Sequence, residues 1–463
     1  MEIDTGNTTW LLVSSALVLL MTPGLALFYG GLNRSKGVLN MMMMSFSSIG
    51  LISILWLFYG YSVAFGDDVN GLWGDPLQYF GTRTLMHDVI DGGIPLYVFI
   101  AFQMMFAVIT TALISGAISD RARFAGWLVF AFGWATLVYF PVAHMVWGGG
   151  LIGEDIGALD FAGGTAVHIN AGAAALALAL VLGKRVGWPR ERFKPHHVPF
   201  VALGAALLWF GWFGFNAGSQ LAADGVTAVV FLNTQVATAA GLMGWLLLEW
   251  LRDGKPTLVG ASSGAVAGLV AITPACAFIA PWAAVLLGLV AGAVSALAVS
   301  LKYRLGYDDS LDVVAVHFLA GWIGTVWIGL FGVAEIGGMA DEGLFYGGGV
   351  VQLGRQALSA LIVSGLSFVI AAALAYVIDK TIGFRVVPEV ETGGVDVGEH
   401  AETAYDLSPA GLSLVTASAR VHEEGVTDDL PRAPASERVG ADRPAVAANR
   451  GSGAEQPTGP RRV

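Results

Sequence analysis

Two histidines occupy the same six-residue context within long apolar stretches of the chain. The segments 167–172 and 316–321 both read Val-His-x-x-Ala-Gly, and their histidines, His168 and His317, lie 149 residues apart. An ionisable side chain is costly in an apolar medium, so such residues tend to face a cavity or one another. A pair of neutral imidazoles can donate and accept hydrogen bonds without presenting a fixed charge. We interpret the pair as the lining of a pathway; a packing role is the alternative for either histidine taken alone.

The composition identifies the medium that surrounds these histidines. Hydrophobic residues make up 55% of the 463 residues and charged residues 13%, with a mean hydropathy of +0.68, whereas soluble domains carry roughly 25% charged residues. Apolar runs close to the ~20 residues that cross a bilayer recur along most of the chain. A single cysteine, Cys276, excludes an internal disulfide framework and a cysteine-based metal site. The sequence lacks P-loop, His-Glu-x-x-His and nucleophile-elbow motifs, so we expect a non-enzymatic membrane protein without a cofactor or metal.

Eleven apolar runs are predicted to cross the membrane as helices. The Lys and Arg residues between these runs fall almost entirely on one side, and the loops of the opposite side contain only Arg83. Cytoplasmic loops carry the basic excess, so this pattern predicts an N-terminus outside the cell and a C-terminus inside. The segments lie near residues 10–31, 41–65, 94–118, 124–147, 162–182, 198–218, 226–251, 257–273, 281–301, 312–333 and 350–378.

The spacing of the two histidines also indicates an internal repeat. About half of the apolar region separates them, and they fall in the fifth and tenth predicted segments. An odd number of helices per repeat inverts the second copy, which places equivalent residues around a pseudo-two-fold axis near the middle of the membrane. The predicted fold is therefore an all-α polytopic membrane protein with two inverted five-helix repeats plus one extra helix. His168 and His317 are expected to meet near the bilayer centre.

Five stretches of the sequence are similar to one known family. They are Pro-Gly-Leu-Ala-Leu-Phe-Tyr-Gly-Gly at 23–31, Ala-His-Met-Val-Trp-Gly-Gly-Gly at 143–150, Asp-Phe-Ala-Gly-Gly-Thr-Ala-Val-His-Ile-Asn-Ala-Gly at 160–172, Gly-Trp-Phe-Gly-Phe-Asn-Ala-Gly-Ser at 211–219 and Asp-Val-Val-Ala-Val-His at 312–317. With these motifs the chain resembles the ammonium transporter (Amt) family, within the larger Amt/Mep/Rh group, to about residue 406. The resemblance implies a homotrimer in the cell membrane whose eleven-helix subunits each contain a narrow pore.

The resemblance also implies roles for the matched residues. An aromatic face attracts a cation by about 0.5–2 kcal/mol, and a hydroxyl accepts a hydrogen bond from ammonium. Dehydrating a charge costs far more than dehydrating ammonia, so ammonium would lose its proton before a hydrophobic gate; whether one net positive charge also crosses stays open. The implied positions are Trp147, Ser219, Phe102 and Phe106 for recruitment, Phe106 and Phe215 for the gate, His168, His317 and Phe28 for the pore, and Asp160 and Asp312 for structural support.

The chain beyond the last apolar run differs in composition from the membrane region. We expect a membrane domain over 1–385, a cytoplasmic regulatory segment over 386–406 and a disordered acidic tail over 407–463. By resemblance, the regulatory segment helps a PII signal protein to dock. The other expected partner is ammonium or ammonia, with methylammonium as an open case, and nucleic acid is not expected. Two alternatives remain at this point, namely an ammonium sensor and a Rh-like channel for a neutral gas.

Overall fold

The computed structural model describes residues 2–83, 85–191 and 193–405; the predicted acidic tail over 407–463 lies outside the described residues. Apolar helices joined by loops make up most of the described chain. The helices are α1 (Thr5–Leu32), α2 (Val38–Phe65), α3 (Leu96–Ile118), α4 (Phe124–Asp155), α5 (Gly164–Leu182), α6 (Val198–Gly218), α7 (Gly225–Asp253), α8 (Leu258–Ile272), α9 (Pro281–Leu305), α10 (Val314–Phe331) and α11 (Val351–Thr381).

Ten of these helices in the described chain are long and apolar enough to cross a membrane, so the fold is that of a helical polytopic membrane protein. The exception is α8, whose 15 residues rise about 22 Å, less than the ~30 Å of a hydrocarbon core. Every predicted segment corresponds to one helix, and most ends differ by a few residues. Within α4 the α-helical part ends at Trp147, as predicted, and a bend over 148–150 precedes the π turn of Leu151–Asp155. The predicted count of eleven spans therefore stays a prediction.

Short elements occupy the loops and the chain after α11. Strand β1 (Asp68–Val69) pairs antiparallel with β2 (Trp73–Gly74), and β3 (Val89–Ile90) pairs antiparallel with β4 (Ile94–Pro95). Single helical turns cover Phe80–Thr82, Ala334–Gly337 and Leu344–Tyr346, and two short helices, α12 (Pro388–Gly393) and α13 (Val395–His400), follow α11.

Side chains of the segment 386–405 cap the N-terminal ends of two membrane helices, α2 and α4. The carboxylate of Asp396 accepts the backbone N–H groups of Leu39 and Asn40, at 3.1 and 2.8 Å, in the first turn of α2. Glu399 accepts the N–H of Phe124, the first residue of α4, at 2.9 Å. Neither helix receives a side-chain cap from the residue that precedes it. These two carboxylates therefore supply, from the distant C-terminal segment, caps that helices commonly find locally.

Helices α5 and α10 pack closely because of the glycines in their shared Val-His-x-x-Ala-Gly motif. A Cβ atom on Gly172 would lie 2.7 Å from the backbone N of Phe318, and one on Gly321 would lie 3.2 Å from the carbonyl oxygen of Gly164. Either side chain would push the helices apart, as expected where small residues govern helix contact in a membrane. The motif therefore supplies both the histidines and the close approach that brings them together.

Both histidines lie in π-helical turns. These turns cover Gly164–Ile169 at the start of α5 and Val314–Leu319 at the start of α10. A π turn adds a residue to a helical turn and is frequent at functional sites, because it shifts side chains out of the regular helical register. The same irregularity at equivalent positions of the two halves agrees with an internal repeat. Further π turns cover Trp56–Gly60, Ala135–Tyr139 and Leu151–Asp155.

Candidate functional site

A pair of stacked phenylalanines closes the interior between α3 and α6. The rings of Phe106 and Phe215 have centroids 4.2 Å apart and planes inclined by 22°, and both side chains are fully buried. Phe102, one turn earlier on α3, packs edge-on against Phe106 with a centroid distance of 4.9 Å. Stacked aromatic rings leave no polar group for water to contact. The two residues assigned to a gate are therefore in direct contact and form an apolar barrier.

Trp147 and Ser219 lie next to this barrier and are partly exposed. The ring of Trp147 is nearly perpendicular to that of Phe106, with centroids 6.1 Å apart, and its indole N–H donates to the carbonyl oxygen of Asp160 at 2.8 Å. The hydroxyl of Ser219 donates to the carbonyl oxygen of Phe215 at 2.8 Å. Since that bond uses the hydroxyl proton, the oxygen lone pairs are available to accept a hydrogen bond. An aromatic surface and a hydrogen-bond acceptor thus flank the Phe106–Phe215 pair.

Asp160 organises the backbone that carries the first histidine. Its carboxylate accepts the N–H groups of the four consecutive residues 163–166, at 2.6–3.0 Å, and the hydroxyl of Thr165 at 2.5 Å. Gly163 has a φ of +121°, in the left-handed region that favours glycine. The turn formed in this way starts the π-helical segment that contains His168. Both oxygens of Asp160 are directed at protein donors, so the carboxylate is placed to hold this turn.

His168 and His317 lie against each other. The Nδ1 atoms of His168 and His317 are 3.4 Å apart, and the ring centroids are 5.4 Å apart with planes inclined by 26°. If the rings share a hydrogen bond, one Nδ1 donates and the other accepts, so neutral rings would adopt opposite tautomers. The Nε2 atom of His168 has no hydrogen-bond partner in the described part of the chain. The His168 ring therefore retains an unused hydrogen-bonding atom, and both rings line the same narrow cavity.

Trp212 is a site residue that sequence reasoning missed. Its ring stacks on His168 at 5.4 Å with planes inclined by 21°, and its indole N–H donates to the hydroxyl of Thr273 on the far side, at 2.8 Å. This contact restrains the orientation of the imidazole ring. The signal was present, because Trp212 lies in the same matched stretch as Phe215, but the spacing along α6 did not reveal which of its aromatics reaches the histidine.

Two cavities follow one another along the histidine pair. The first, of about 10 Å³, is lined by apolar and aromatic side chains, among them Phe215 and Trp212, together with both histidines. The second, of about 200 Å³, starts at His317 and includes Phe28. Because His317 lines both, the two cavities are neighbours at this ring, and Phe215 borders the narrow one. Other residues of the wide cavity, which sequence reasoning did not assign to a site, include Glu249 and Arg252 near the end of α7.

Asp312 lies at the wide cavity in a network of charges. Its carboxylate forms an ion pair of 2.6 Å with Lys302, whose ammonium also donates to the carbonyl oxygen of Asp309 at 2.9 Å. The Asp309 carboxylate accepts the N–H of Val314, the first residue of α10, at 2.7 Å. Burial raises the pKa of Asp309 to about 6, while the nearby ammonium of Lys302 acts in the opposite direction. These contacts attach the start of α10, and with it His317, to the end of α9.

A third buried histidine, His144, is not among the residues that line the narrow cavity. It contacts the carbonyl oxygen of Ala64 at 3.2 Å and the carboxylate of Asp68 at 2.9 Å. These partners join α4 to the end of α2 and to the loop that follows it. The described residues contain no group of three His, Cys, Asp or Glu side chains that could hold a metal ion.

Comparisons with known proteins show the family of this chain. Residues 9–405 match the sequence profile described as Ammonium Transporter Family. An ammonium transporter from Mycobacterium bovis is 54% identical, with 89% of this chain and 92% of the relative covered, and one from Aquifex aeolicus is 48% identical, with 88% and 95% covered. The crystal structure of Saccharomyces cerevisiae Mep2 superposes with a TM-score of 0.81 at 35% identity, covering 89% of this chain and 94% of that one. A structure described as a Sensor Amt Protein is 29% identical, with a TM-score of 0.79 and 85% and 98% covered. The chain belongs to the ammonium transporter family.

Proposed function

We propose that this protein transports ammonium across the cell membrane by passing ammonia through the pore that begins at the Phe106–Phe215 pair. The observation that carries the proposal is the series of a buried aromatic gate, a narrow cavity and a histidine pair. A void of about 10 Å³ is near the lower limit for one water molecule, and ammonia is of similar size. A hydrated cation does not fit, and a dehydrated one would lose its hydration energy without a counter-charge.

The recruitment step uses the partly exposed residues beside the gate. The Trp147 ring attracts the cation through its quadrupole, and the Ser219 oxygen accepts one of its hydrogen bonds. Phe102 completes the aromatic wall behind Phe106. Ammonium then loses a proton before the gate, because neutral ammonia enters the apolar lumen at a much lower cost. Methylammonium, which carries the same charge and one methyl group, is a further candidate substrate.

The pore step uses the histidines, and two aspartates support it. His168 and His317 hydrogen-bond ammonia in turn, and Phe28 lines the wider cavity that follows. Asp160 holds the turn before His168, and Asp312 holds the helix start before His317 through its ion pair with Lys302. A proton exchanged along the imidazole pair would carry one positive charge per ammonia. The distance of 3.4 Å between the two Nδ1 atoms supports such an exchange.

For the finer architecture we propose the arrangement that the sequence predicts. We propose eleven spans, with α8 and the turn after it as the eighth, so that two inverted five-helix repeats precede α11. The N-terminus then lies outside and the C-terminus inside, as the distribution of Lys and Arg favours. The proposed assembly is a homotrimer with one pore per subunit. The alternation of basic and acidic loops supports this orientation, because one helix fewer would reverse every later loop.

A direct test uses purified protein in liposomes, with the interior pH and the membrane current recorded after an ammonium pulse. A current that scales with ammonium indicates net movement of charge, and an alkaline shift inside without current indicates neutral ammonia. Phe106→Ala is expected to change ion selectivity by opening the gate. Phe231→Ala is a matched control, since Phe231 stacks on Phe213 at the same centroid distance of 4.2 Å but is 45% exposed. Responses equal to those of protein-free liposomes would refute the proposal.

We also propose that 386–406 is a regulatory segment that a PII signal protein contacts at the cytoplasmic face. The support is physical: Asp396 and Glu399 cap two membrane helices, and Glu391 pairs with Arg385 at 2.7 Å, so displacement of the segment would reach the helix ends. Deleting 386–406 is expected to impair transport or its inhibition by PII, and deleting 410–463 is expected to change neither. Pull-down and flux assays compare the two truncations, and equal behaviour would contradict this role.

The sensor and neutral-gas alternatives make different predictions in the same assays. A sensor would bind ammonium with little flux, and a structure described as a Sensor Amt Protein shares this fold. A neutral-gas channel would need no cation site, whereas Trp147 and Ser219 flank the gate here. Bulk flux that saturates with ammonium concentration would support transport over both alternatives.

A further inference from the structure

Two glutamines at the start of α11 have no role in the proposed pathway so far. Gln352 and Gln356 are one helical turn apart, are 2% and 0% exposed, and are not among the residues that line the two cavities. A polar side chain in the interior of a membrane domain is costly, because each donor and acceptor that loses water needs a partner. The contacts of these two amides therefore indicate what they are for.

Gln356 uses all of its hydrogen-bonding positions. Its Oε1 atom accepts the backbone N–H of Leu159 at 2.7 Å and a proton from Nε2 of Gln352 at 2.9 Å. Its Nε2 atom donates to the carbonyl oxygen of Leu159 at 2.7 Å and to that of Thr325 at 3.1 Å. A side-chain amide has two acceptor lone pairs and two donor hydrogens. The amide of Gln356 is therefore fully satisfied, and its partners fix its orientation.

The two bonds to Leu159 take the place of a strand partner. Residues 157–160 have no regular secondary structure, and both polar groups of the Leu159 backbone pair with the same amide. An antiparallel neighbouring strand would offer the same paired contact. Gln352 adds a bond of 3.3 Å to the carbonyl oxygen of Gly157. The start of α11 thus holds this segment at two points.

The segment held by α11 leads directly to the acceptor of the recruitment tryptophan. The carbonyl oxygen of Asp160, the residue after Leu159, accepts the indole N–H of Trp147 at 2.8 Å. The N–H of Phe161, in the same peptide group as that carbonyl, donates to the carbonyl oxygen of Pro274 at 3.2 Å. An indole side chain has two torsions about which it can turn. The orientation of the Trp147 ring therefore depends on an acceptor that is held from both sides.

We infer that Gln356 is a positioning residue for ammonium capture. Its amide fixes the Leu159 backbone and, through it, the Asp160 carbonyl that orients the ring of Trp147. The inference rests on the proposed recruitment role of Trp147. A ring attracts a cation only through the face that it presents, so Gln356 acts on capture without contacting the substrate. The Asp160 carboxylate is held separately by residues 163–166, so the turn before His168 keeps its own support.

The contact is tested without transport, on purified full-length protein labelled with 5-fluorotryptophan. Trp147→Leu identifies the fluorine-19 resonance of Trp147 by its absence. Gln356→Met keeps the length of the side chain but loses the amide donors and acceptors, and it is expected to shift or broaden this resonance. Gln235→Met is the matched control, because Gln235 also accepts an indole N–H, that of Trp209 at 3.2 Å, but at an exposed site. The control is expected to leave the Trp147 resonance in place.

The consequence is tested by ammonium flux in liposomes. Q356M is expected to raise the ammonium concentration for half-maximal flux about twofold to tenfold, the equivalent of one lost hydrogen bond, with a smaller effect on maximal flux. In the W147L background the same change is expected to add nothing, because residues that act through one contact are not additive. Gln352→Met removes one bond to Gln356 and one to Gly157. It is expected to act in the same direction to a smaller extent, and it replaces Q356M if that variant does not fold.

Three results would overturn the inference. They are a parental Trp147 resonance in both Q356M and Q352M, an equal shift of that resonance in Q235M, and an additive rise of the half-maximal concentration in W147L/Q356M. A merely structural role of Gln356 would also overturn it, and would appear as a lower unfolding temperature and lower maximal flux at the parental half-maximal concentration. If W147L itself keeps the parental half-maximal concentration while Q356M moves the resonance, the contact is supported and the recruitment step of the proposed function is wrong.

Discussion

Replacing Asp160 by Asn separates a supporting role of this carboxylate from direct action on the substrate. In the parent protein two hydrogen bonds end on its Oδ1 atom and three on its Oδ2 atom. An Asn side chain keeps one carbonyl oxygen and replaces the other by an N–H₂ group, which cannot accept. In the better of its two orientations, Asp160→Asn therefore loses two bonds and directs a donor at the N–H groups of Gly163 and Gly164.

The magnitude follows from these two lost bonds. A buried donor left without a partner costs about 1–3 kcal/mol, so the variant is expected to lose about 2–6 kcal/mol of folding stability. The loss falls on the turn that places His168, and transport should decrease together with stability. Asp160→Ala removes all five bonds and is expected to destabilise the protein further.

Thermal unfolding of the purified protein and ammonium flux in liposomes are measured on the same preparations. Asp224→Asn is the control, because Asp224 also caps a helix, accepting the N–H of Thr227 at 3.0 Å, but it is exposed. This change is expected to cost about 1 kcal/mol or less and to leave flux near the parental value. If Asp160→Asn unfolds at the parental temperature while transport is lost, the carboxylate acts on the substrate and the supporting role is wrong.

Three further perturbations test the lumen, the recruitment site and the buried carboxylate. Replacing His168 or His317 by Ala is expected to change ammonium flux and selectivity with an unchanged yield of folded protein, since each ring lines the lumen. Trp147→Leu and Ser219→Ala are expected to raise the ammonium concentration for half-maximal flux about twofold to thirtyfold, for a loss of about 0.5–2 kcal/mol, with a smaller effect on maximal flux. Burial raises the pKa of Asp309 to about 6. The contribution of Asp309 to folding stability is therefore full below the unfolded pKa of about 4 and is lost as the pH rises through 6. The variant Asp309→Asn should flatten the pH dependence of the unfolding temperature.

Each of these predictions has an opposing result. Parental flux and selectivity in both histidine variants would contradict the lumen assignment. A proportional decrease of flux at every ammonium concentration would show that Trp147 and Ser219 pack the structure and do not recruit a cation. Parallel curves of unfolding temperature against pH for the parent and Asp309→Asn would contradict the buried, ionisable state of this carboxylate.

The sequence by itself determined the medium, the positions of the helices and the pairing of two particular histidines. These features are local or periodic: an apolar run of about 20 residues predicts a helix long enough to cross a membrane, and a repeated Val-His-x-x-Ala-Gly relates two positions without any knowledge of packing. The prediction used only the histidines of the motif. Its two glycines, Gly172 and Gly321, also matter, because they let α5 and α10 approach closely.

The tertiary structure alone decided which distant groups satisfy one another. Trp212 stacks on His168 and Glu399 caps the start of α4 because helices far apart in sequence pack side by side. The tertiary structure also decided which basic residues are paired. Lys302 is buried and forms an ion pair, whereas Lys184 is exposed and has no ion pair within the described chain. Neither residue type nor spacing distinguishes such neighbours, since the partner of a polar group is chosen by the three-dimensional contact and the cost of leaving it unpaired in an apolar interior.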